Sequence, residues 1–413
     1  MNNNFYNIKS FTTKAFGENI RLLPSVDELF EIEMAYLEFN CLSKEELIER
    51  SAFIKSIDNQ FTKHYLLYSN YNEAINENRT AQTQAYFEEG QFSTGYATHG
   101  LFPYRGKFHP QLIKGLLNIL GVEKDETILD PMAGSGTANI EAALMGINSY
   151  ACDISPFCQF MITVKYESLT INADLLENTP FDTKKLFDFF KKGNVLKRIN
   201  EIKDIEKQKI YNLAFLAWLD ALGYSKRVVR SNHEQLFDKV LPRYIETVKS
   251  ILRNPHLNQN EIGKVEILSN SEALKVDLPN ESIDCVITSP PYSFAIDYVE
   301  NDKDQLEFLG YNTKELKSKL IGLKGKNKTE RLNTYFTDMD KACSEISRVL
   351  KKDKYFVMII GSNTNQTGGI RLEQTIIDSA KKYNLSLVKS ILKPIKGMRN
   401  SMKEEYILIF KKI

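Results

Sequence analysis

The pattern of apolar and polar positions along this chain changes near residue 109. From there, short apolar runs alternate with longer segments whose apolar residues recur at helical spacing. HPQLIKGLLNILG reads as an amphipathic helix closed by Gly121, and ETILDPMAGSGTANIEAALMG reads as a strand, a glycine-rich turn and a helix. INSYACDIS reads as the next strand. This βαβ unit predicts the opening of a doubly wound parallel sheet.

The alternation stops over residues 157–261, where long periodic segments rich in Lys, Phe and Leu predict helices. It then resumes, with VEILSN, DCVITS and KYFVMIIGS as strands and LNTYFTDMDKACSEISRVLKK and IRLEQTIIDSAKKYN as helices. The final strands, LSLVKSILK and EEYILIFKK, lie close together, so one must run antiparallel to its neighbour. We therefore predict an α/β fold with a mixed, mostly parallel seven-stranded sheet and a helical insertion.

Residues 1–95 lack this alternation and read as a partly helical N-terminal extension. VDELFEIEMAYLEF predicts one helix, and SKEELIERSAFIKSI predicts another behind a capping box from Ser43 to Glu46. The predicted organisation has three parts: an extension over 1–95, an α/β domain over 96–156 and 262–413, and an insertion over 157–261.

Composition narrows the class of protein only slightly. Apolar residues make up 42% and charged residues 26%, which is typical of a globular protein, and the net charge of +1 argues neither for nor against nucleic acid. No apolar run approaches the roughly 20 residues of a membrane span, and the N-terminus does not resemble a secretory signal. Five scattered cysteines and five histidines lack metal-ligand spacing. We expect a cytoplasmic protein with no metal and no membrane contact.

The glycine-rich turn Asp130–Thr137 is the first candidate site. Its glycines let the backbone approach a ligand, and Asp153 after the next strand can accept hydrogen bonds from a ribose diol. A carboxylate at Asp130 repels phosphates and attracts a cationic amine. An ammonium joined to an adenosine is what S-adenosylmethionine offers, although a tight turn without a ligand is the alternative. The predicted cofactor residues are Asp130, Pro131, Ala133, Gly134, Ser135, Gly136, Thr137, Asp153 and Ile154.

The second candidate site follows the apolar strand DCVITS and consists of Ser289, Pro290, Pro291 and Tyr292. Two prolines remove two amide donors and stiffen the chain as it leaves the sheet. The Ser289 side chain and the Pro290 carbonyl can then accept hydrogen bonds from an exocyclic amine. Tyr292 offers a ring on which a base can stack. A proline pair with a purely structural use is the alternative.

These motifs resemble those of the DNA amino-methyltransferases of restriction–modification systems, which methylate cytosine N4 or adenine N6. DPMAGSGT resembles the family's cofactor loop and TSPPY its catalytic motif. HGLFPYRGKFHPQLI resembles the segment that packs over the methionine part of the cofactor, which implies contacts from Phe108 and His109. The resemblance covers about 95–155 and 262–413. It implies a Rossmann-like methyltransferase core, S-adenosylmethionine as cofactor and a base flipped out of double-stranded DNA.

One departure from the family's pattern and one variation within it change the details. The family often has Gly-Asp before the catalytic strand, but this chain reads Leu268-Ser269-Asn270-Ser271-Glu272, so we expect Asn270 or Ser271 to contact the adenine ring. Serine at the head of the proline motif favours cytosine N4, whereas asparagine or aspartate there favours adenine N6. Cytosine N4 is therefore the preferred target, and adenine N6 stays open.

Basic residues outside the sheet pattern are the candidates for contacts with DNA phosphates. They lie in the insertion and in the loop after the proline motif, and a solvated basic face is the alternative in both places. They are Lys226, Arg227, Arg230, Lys324, Lys326, Lys328 and Arg331. The expected further partner is a cognate restriction endonuclease or a specificity subunit. Two other functions stay open: an RNA (tRNA) base methyltransferase, or a cofactor-binding subunit of a larger defence complex.

Overall fold

The computed structural model describes residues 8–26, 28–68, 95–104, 106–226, 232–291, 297–361, 367, 369–395 and 404–413. Its strands are, in chain order, β1 (Ile20–Leu22), β2 (Ile54–Ile57), β3 (Gln60–Phe61), β4 (Thr127–Asp130), β5 (Asn148–Ala151), β6 (Val265–Ile267), β7 (Ile283–Thr288), β8 (Leu350–Gly361), β9 (Leu385–Pro394) and β10 (Glu404–Lys412).

The α-helices that accompany these strands begin with three in the N-terminal region and continue to the last crossover. They are α1 (Ile8–Phe16), α2 (Leu29–Cys41), α3 (Lys44–Arg50), α4 (Pro110–Ile119), α5 (Thr137–Leu144), α6 (Pro156–Leu169), α7 (Ala173–Asn178), α8 (Thr183–Lys191), α9 (Val195–Asn200), α10 (Ile205–Ser225), α11 (His233–Leu252), α12 (Tyr298–Asn301), α13 (Lys303–Phe308), α14 (Thr313–Lys319), α15 (Lys328–Val349) and α16 (Leu372–Lys382). Residues 63–68 are also helical.

The main sheet has seven strands in the order β6-β5-β4-β7-β8-β10-β9. β4 to β8 pair in parallel, and β10 lies antiparallel between β8 and β9. This arrangement confirms the predicted mixed, mostly parallel sheet with an antiparallel final strand. The short connection from β9 to β10 permits only antiparallel pairing of those two strands, because a parallel pair needs a longer crossover.

Helices cover both faces of this sheet. Strand β7 is buried along its whole length, with Cys285 and Ile287 in one hydrophobic cluster and Val286 in another. The first cluster joins α4, α5 and the N-terminal helices, and the second joins α15 and α16. A strand buried on both faces explains why DCVITS is a continuous apolar run rather than an alternating one.

The helices from α6 to α11 share a third hydrophobic cluster, which includes Phe190, Phe215 and Trp218. α10 and α11 pack against each other, and α10 also packs against α13, which follows the proline motif. α6 begins at Pro156 and packs against α5 and β6 as well. The helical character predicted here is therefore present, while the division of the chain into three parts stays a prediction.

The N-terminal region corrects one prediction. The capping box at Ser43 and Glu46 is present, but the helix α3 ends at Arg50, and the residues of SKEELIERSAFIKSI from Ile54 to Ile57 form β2. β2 pairs antiparallel with β1 and β3 in a small separate sheet. The reason is tertiary: the Glu38 carboxylate accepts hydrogen bonds from the amides just after α3, which turns the chain away from the helix.

Glu38 also links the N-terminal region to helix α4 by hydrogen bonds. It is fully buried, and its carboxylate accepts hydrogen bonds from the backbone amides of Ala52 (2.7 Å) and Phe53 (3.2 Å) and from the Asn118 side chain (2.5 Å). Asn118 lies on α4, which packs on the sheet. The Asn118 side chain also accepts a hydrogen bond from Arg50. Burial raises the pKa of Glu38 to about 7 despite these donors. The extension is therefore part of the same packed body as the sheet helices.

Among the residues described above, no helix combines the length and the apolar character that crossing a membrane requires. Within the same ranges, no group of three or more His, Cys, Asp and Glu side chains is arranged to hold a metal ion.

Candidate active site

A cavity lies at the carboxyl ends of β4, β5 and β7, and we call it the edge cavity. Sequence-predicted residues from separate stretches of the chain line it: Phe108, Pro131, Ala133, Gly134, Ser135, Thr137, Asp153, Ile154, Ser289 and Pro291. The other predicted cofactor and catalytic residues within the described ranges do not line it: His109, Asp130, Gly136, Asn270, Ser271 and Pro290. The fold thus brings the glycine-rich turn and the proline motif to one cavity.

The glycine-rich turn owes its shape to two residues with positive φ, Gly134 (51°) and Gly136 (75°). A Cβ atom on Gly136 would lie 2.7 Å from the Ile162 side chain, so this glycine serves packing rather than the cavity. The turn is tied to the end of β5, because the Ala133 amide donates to the Cys152 carbonyl (2.9 Å). Helix α5 starts directly after it, at Thr137.

Asp130 lies behind the cavity wall and joins the two motifs. It is fully buried, and its Oδ1 accepts hydrogen bonds from the Thr288 hydroxyl (2.7 Å) and the Met132 amide (3.1 Å). Its Oδ2 has no hydrogen-bond partner among the described residues. Burial raises the pKa of Asp130 to about 7, although both hydrogen bonds favour the ionised form. A cationic group beside Oδ2 would satisfy this buried oxygen and stabilise the carboxylate.

Asp153 lines the cavity and is fixed by two backbone donors. Its Oδ2 accepts from the Gly134 amide (2.8 Å) and its Oδ1 from the Ser155 amide (2.8 Å). Burial raises the pKa of this carboxyl, and the two hydrogen bonds lower it. A carboxylate has about four acceptor positions, so two donors leave capacity for a ligand's hydroxyl groups.

The turn after β6 brings other residues to the cavity than the two that we predicted. Asn270 is exposed and Ser271 is buried, where its hydroxyl accepts from the Asp277 amide (2.9 Å). Neither lines the cavity; Glu272, Ala273 and Leu274 do. Glu272 is the acidic residue of the stretch Leu268–Glu272, so its charge was the signal that sequence reasoning passed over.

His109 also lies outside the cavity. It is the residue before α4, and its side chain makes no capping hydrogen bond. Burial lowers its pKa to about 4, and nearby lysines and His99 act in the same direction. The neighbouring Phe108 does line the cavity.

The proline motif leaves β7 at the cavity rim. Ser289 and Pro291 line the cavity, Pro290 is buried beside them, and Tyr292 lies outside the described residues. Sequence reasoning did not assign several further lining residues: Tyr104, Lys107, Cys158 and Asp302. The rings of Tyr104 and Tyr298 stack nearly in parallel, with centroids 6.1 Å apart. Tyr104 and Lys107 fall within the stretch that resembles the family's cofactor segment, whereas Cys158 and Asp302 carry no local signal.

The predicted phosphate-binding cations differ in their surroundings. Lys324 forms an ion pair with the buried Asp338 (2.8 Å), and Arg331 donates to the Gly325 carbonyl (3.0 Å). Exposed side chains are found at Lys326, Lys328 and Lys226. Arg227 and Arg230 lie outside the described residues. The preceding residues, Lys319 to Ile321, line the edge cavity, so the basic loop begins at its rim.

The doubly wound sheet has an antiparallel final strand, and a glycine turn and two carboxylates lie at its carboxyl edge, where such sheets bind nucleotide-containing ligands. Residues 101–321, just over half of the chain, match the family model of the RMKL-like methyltransferase domain. The chain belongs to this family, and its cofactor is S-adenosylmethionine. Residues 283–412 match a second family model, described as DNA methylase.

Relatives with assigned functions agree with both matches. The chain is 23% identical to the type II methyltransferase M.MvaI of Kocuria varians over 394 residues, which covers 74% of this chain and 86% of that protein. It is 23% identical to M.BsoBI of Geobacillus stearothermophilus, over 63% of each chain. A tRNA (guanine(10)-N2)-dimethyltransferase of Methanothermobacter thermautotrophicus is 42% identical over 53 residues, 13% of this chain and 16% of that protein. The resemblance to DNA amino-methyltransferases of restriction–modification type is confirmed.

Proposed function

We propose that this protein is a site-specific DNA methyltransferase that acts on the exocyclic amine of a flipped base, with cytosine N4 favoured over adenine N6. One observation carries the proposal. The hydrogen bond from Thr288 to Asp130 joins the residue before the proline motif to the first residue of the glycine turn, and both motifs line the edge cavity. A cofactor held by one motif and an amine held by the other would then meet.

The residues present fit the cofactor. The orphaned Oδ2 of Asp130 suits the ammonium of the amino-acid end, and the Asp153 carboxylate suits the ribose hydroxyls. Glu272, which also lines the cavity, suits the adenine amine. When bound, S-adenosylmethionine supplies an electrophilic methyl group on a sulfonium.

The proline motif would hold the base. An exocyclic amine carries two N–H groups, and the Ser289 hydroxyl and the Pro290 carbonyl are acceptors on a chain that the two prolines stiffen. With both N–H groups held, the nitrogen lone pair points away from the acceptors and into the cavity. The base nitrogen itself is the nucleophile, so these residues orient the amine and exclude water rather than attack. Tyr292 is proposed to stack on the base, and Ser289 supports cytosine N4 through the family's pattern.

Lys326 and Lys328 are proposed to contact DNA phosphates beside the cavity, because both are exposed, one on the loop that starts at its rim and the other at the first residue of α15. The helices from α7 to α11 are proposed to read the target sequence. They are the largest part of the chain between the sheet strands, and α10 packs against α13, close to the proline motif. A cognate restriction endonuclease or a specificity subunit is the proposed partner.

Expression of this chain alone in a host without DNA methylation, followed by methylation-aware long-read sequencing, tests the proposal. The expected result is one short motif with a modified cytosine, absent from cells that carry Ser289→Ala. A modified adenine would keep the enzyme and correct the base. No modified motif from a protein that binds S-adenosylmethionine would contradict independent DNA methylation.

An RNA base methyltransferase is the second candidate. The short match to a tRNA dimethyltransferase favours it. Incubation with tritiated S-adenosylmethionine and either plasmid DNA or total tRNA separates the two. Label in DNA but not in tRNA supports the first proposal, and the reverse result supports the second.

A further inference from the structure

The insertion helices reach the wall of the edge cavity through one buried chain of hydrogen bonds. The hydroxyl of Tyr244, on α11, accepts a hydrogen bond from the Phe102 amide (2.7 Å) and donates one to the Asp220 carboxylate of α10 (3.0 Å). Tyr244 and Asp220 are both buried, so the loss of either partner would leave a buried polar group unsatisfied. Burial raises the pKa of Tyr244, which keeps its hydroxyl protonated and able to donate. The chain therefore ties α10 and α11 to Phe102.

The backbone of Phe102 is strained. Its φ of 65° lies in the left-handed region, which a bulky residue rarely occupies. Such a conformation costs free energy and persists only where the surroundings fix it. Here the Tyr244 hydroxyl binds the amide, and the Phe157 ring packs against the Phe102 ring with centroids 4.9 Å apart. Two residues further on, the Tyr104 amide donates to the Phe102 carbonyl (2.9 Å), so the bend at Phe102 sets where Tyr104 lies.

Tyr104 and Tyr298, whose stacked rings both line the edge cavity, form what we call the tyrosine wall. Tyr104 lies against the glycine turn, since a Cβ atom on Gly134 would be 3.3 Å from its ring. The Tyr104 hydroxyl accepts a hydrogen bond from the Cys158 thiol (3.6 Å). Tyr298 is the first residue of α12, shortly after the proline motif. The wall therefore extends from one motif of the cavity towards the other.

The same turn of α10 also holds the far side of the wall. The carbonyl of Leu219, the residue before Asp220, accepts a hydrogen bond from the Gln305 side chain (3.1 Å). Gln305 is buried on α13, the helix that follows α12 and its first residue Tyr298. Two adjacent residues of α10 are therefore bonded to the segments that carry the two tyrosines.

We infer that Tyr244 is a positioning residue for methyl transfer: it fixes the Phe102 bend and, through it, the tyrosine wall between the two motifs. Tyr244 does not itself line the cavity, so it acts through Phe102 and Tyr104. The inference rests on the function proposed above, because the wall borders the place where the cofactor and the amine would meet. It gives α10 and α11 a task besides the proposed reading of DNA.

Alkylation of two buried thiols tests whether Tyr244 holds the wall. Cys158 lines the cavity and bonds to Tyr104, whereas Cys343 is buried in α15 and reports opening of the whole protein. Reaction with iodoacetamide, followed by peptide mass spectrometry, gives the rate at each thiol. In Tyr244→Phe we expect the rate at Cys158 to rise roughly 10-fold, the factor that one buried hydrogen bond contributes against local opening. The rate at Cys343 should not change.

Two further variants serve as comparisons. Tyr211→Phe is the matched control, because it removes a hydroxyl from α10 itself, where the Tyr211 ring packs against Phe189, and it should change neither rate. Asp220→Asn keeps an oxygen that can accept from the Tyr244 hydroxyl, so it should protect Cys158 nearly as well as the unaltered protein does.

The part in catalysis is tested by single-turnover transfer of a tritiated methyl group to plasmid DNA. At saturating S-adenosylmethionine and DNA, where weaker binding does not contribute, Tyr244→Phe should slow the transfer roughly 10-fold or more, because the reacting groups are less well aligned. Tyr211→Phe should leave this rate unchanged.

The other outcomes would overturn the inference. Faster alkylation of both thiols in Tyr244→Phe would mean that the hydroxyl only contributes to overall stability. An unchanged rate at Cys158 would mean that the wall does not depend on it, and unchanged methyl transfer would remove its part in catalysis. If the unaltered protein transfers no methyl group to DNA, the proposed function fails instead, and the alkylation rates still decide whether Tyr244 holds the wall.

Discussion

Replacing Asp130 with asparagine should weaken cofactor binding and stabilise the ligand-free protein at the same time. Asparagine has nearly the same shape, and its side-chain oxygen can still accept hydrogen bonds from Thr288 and Met132. It removes the negative charge, and with it the partner proposed for the cofactor's ammonium. A hydrogen bond between charged groups is worth about 1.5–3 kcal/mol, so affinity for S-adenosylhomocysteine should fall roughly 10- to 100-fold.

The stabilisation follows from the pKa of Asp130. Burial raises it from 3.8 to about 7, and about 1.4 kcal/mol per pKa unit gives a destabilisation of about 4 kcal/mol for the ionised form. The destabilisation is absent well below pH 4, where the carboxyl is protonated in both the folded and the unfolded chain. It grows between pH 4 and pH 7 and is then constant. The new amide N–H, buried without a partner, costs about 1–3 kcal/mol at every pH.

Urea unfolding of both proteins between pH 5 and pH 8 measures this difference. The free energy of unfolding of Asp130→Asn, relative to the unaltered protein, should rise by roughly 2–3 kcal/mol over that range. Ligand titrations on the unaltered protein should show affinity falling below pH 7, as Asp130 takes up a proton. A stability difference that does not depend on pH would refute the raised pKa. Equal affinities of the two proteins at pH 8 would refute the contact with the ammonium.

Three further substitutions test other parts of the molecule. Ser289→Ala should slow methyl transfer at least about 10-fold with unchanged affinity for S-adenosylhomocysteine, because it removes an acceptor for the base and no proposed cofactor contact; single-turnover kinetics measures this. Glu38→Ala should lower the free energy of unfolding by about 2–4 kcal/mol, since two backbone amides lose their acceptor. The control Glu33→Ala removes an exposed ion pair with Lys389 and should change the free energy of unfolding by less than about 1 kcal/mol. Substituting Lys326 and Lys328 with glutamine should make DNA binding less dependent on salt. The slope of the logarithm of affinity against the logarithm of salt concentration, measured by fluorescence anisotropy, should become shallower by about one for each phosphate that these lysines neutralise.

The parts of the fold and site that sequence predicted are those whose signals are local. The glycine turn from Asp130 to Thr137 carries its glycines, its preceding strand and its following helix within one short stretch. The seven strands of the main sheet follow from apolar runs with helical segments between them. The roles of the residues at the edge cavity stay predictions, but their meeting there follows from the strands that carry them.

The parts that sequence did not predict depend on distant contacts. Thr288 and Asp130 are 158 residues apart, and no local pattern indicates their hydrogen bond or the unpaired Oδ2. The stretch that contains Phe53 and Ile54 has apolar spacing compatible with either a helix or a strand, and only the bonds to Glu38 decide between them.

The place where the two motifs meet follows from the order of the strands. From β4 the chain moves to β5 and β6 on one side, then crosses to β7 and β8 on the other, so the direction of winding reverses between β4 and β7. Open α/β sheets bind ligands in the crevice that such a reversal leaves at the carboxyl ends of the strands. Asp130 and Thr288 are the last residues of β4 and β7, and their bond closes the floor of that crevice. Because Ser289 follows Thr288 directly, the sheet backbone sets the distance from Ser289, the proposed base acceptor, to Asp130, the proposed cofactor contact. The exposed surfaces of the helices from α7 to α11 and the basic loop, which are proposed to contact the target DNA, can therefore vary without displacing the residues of this crevice.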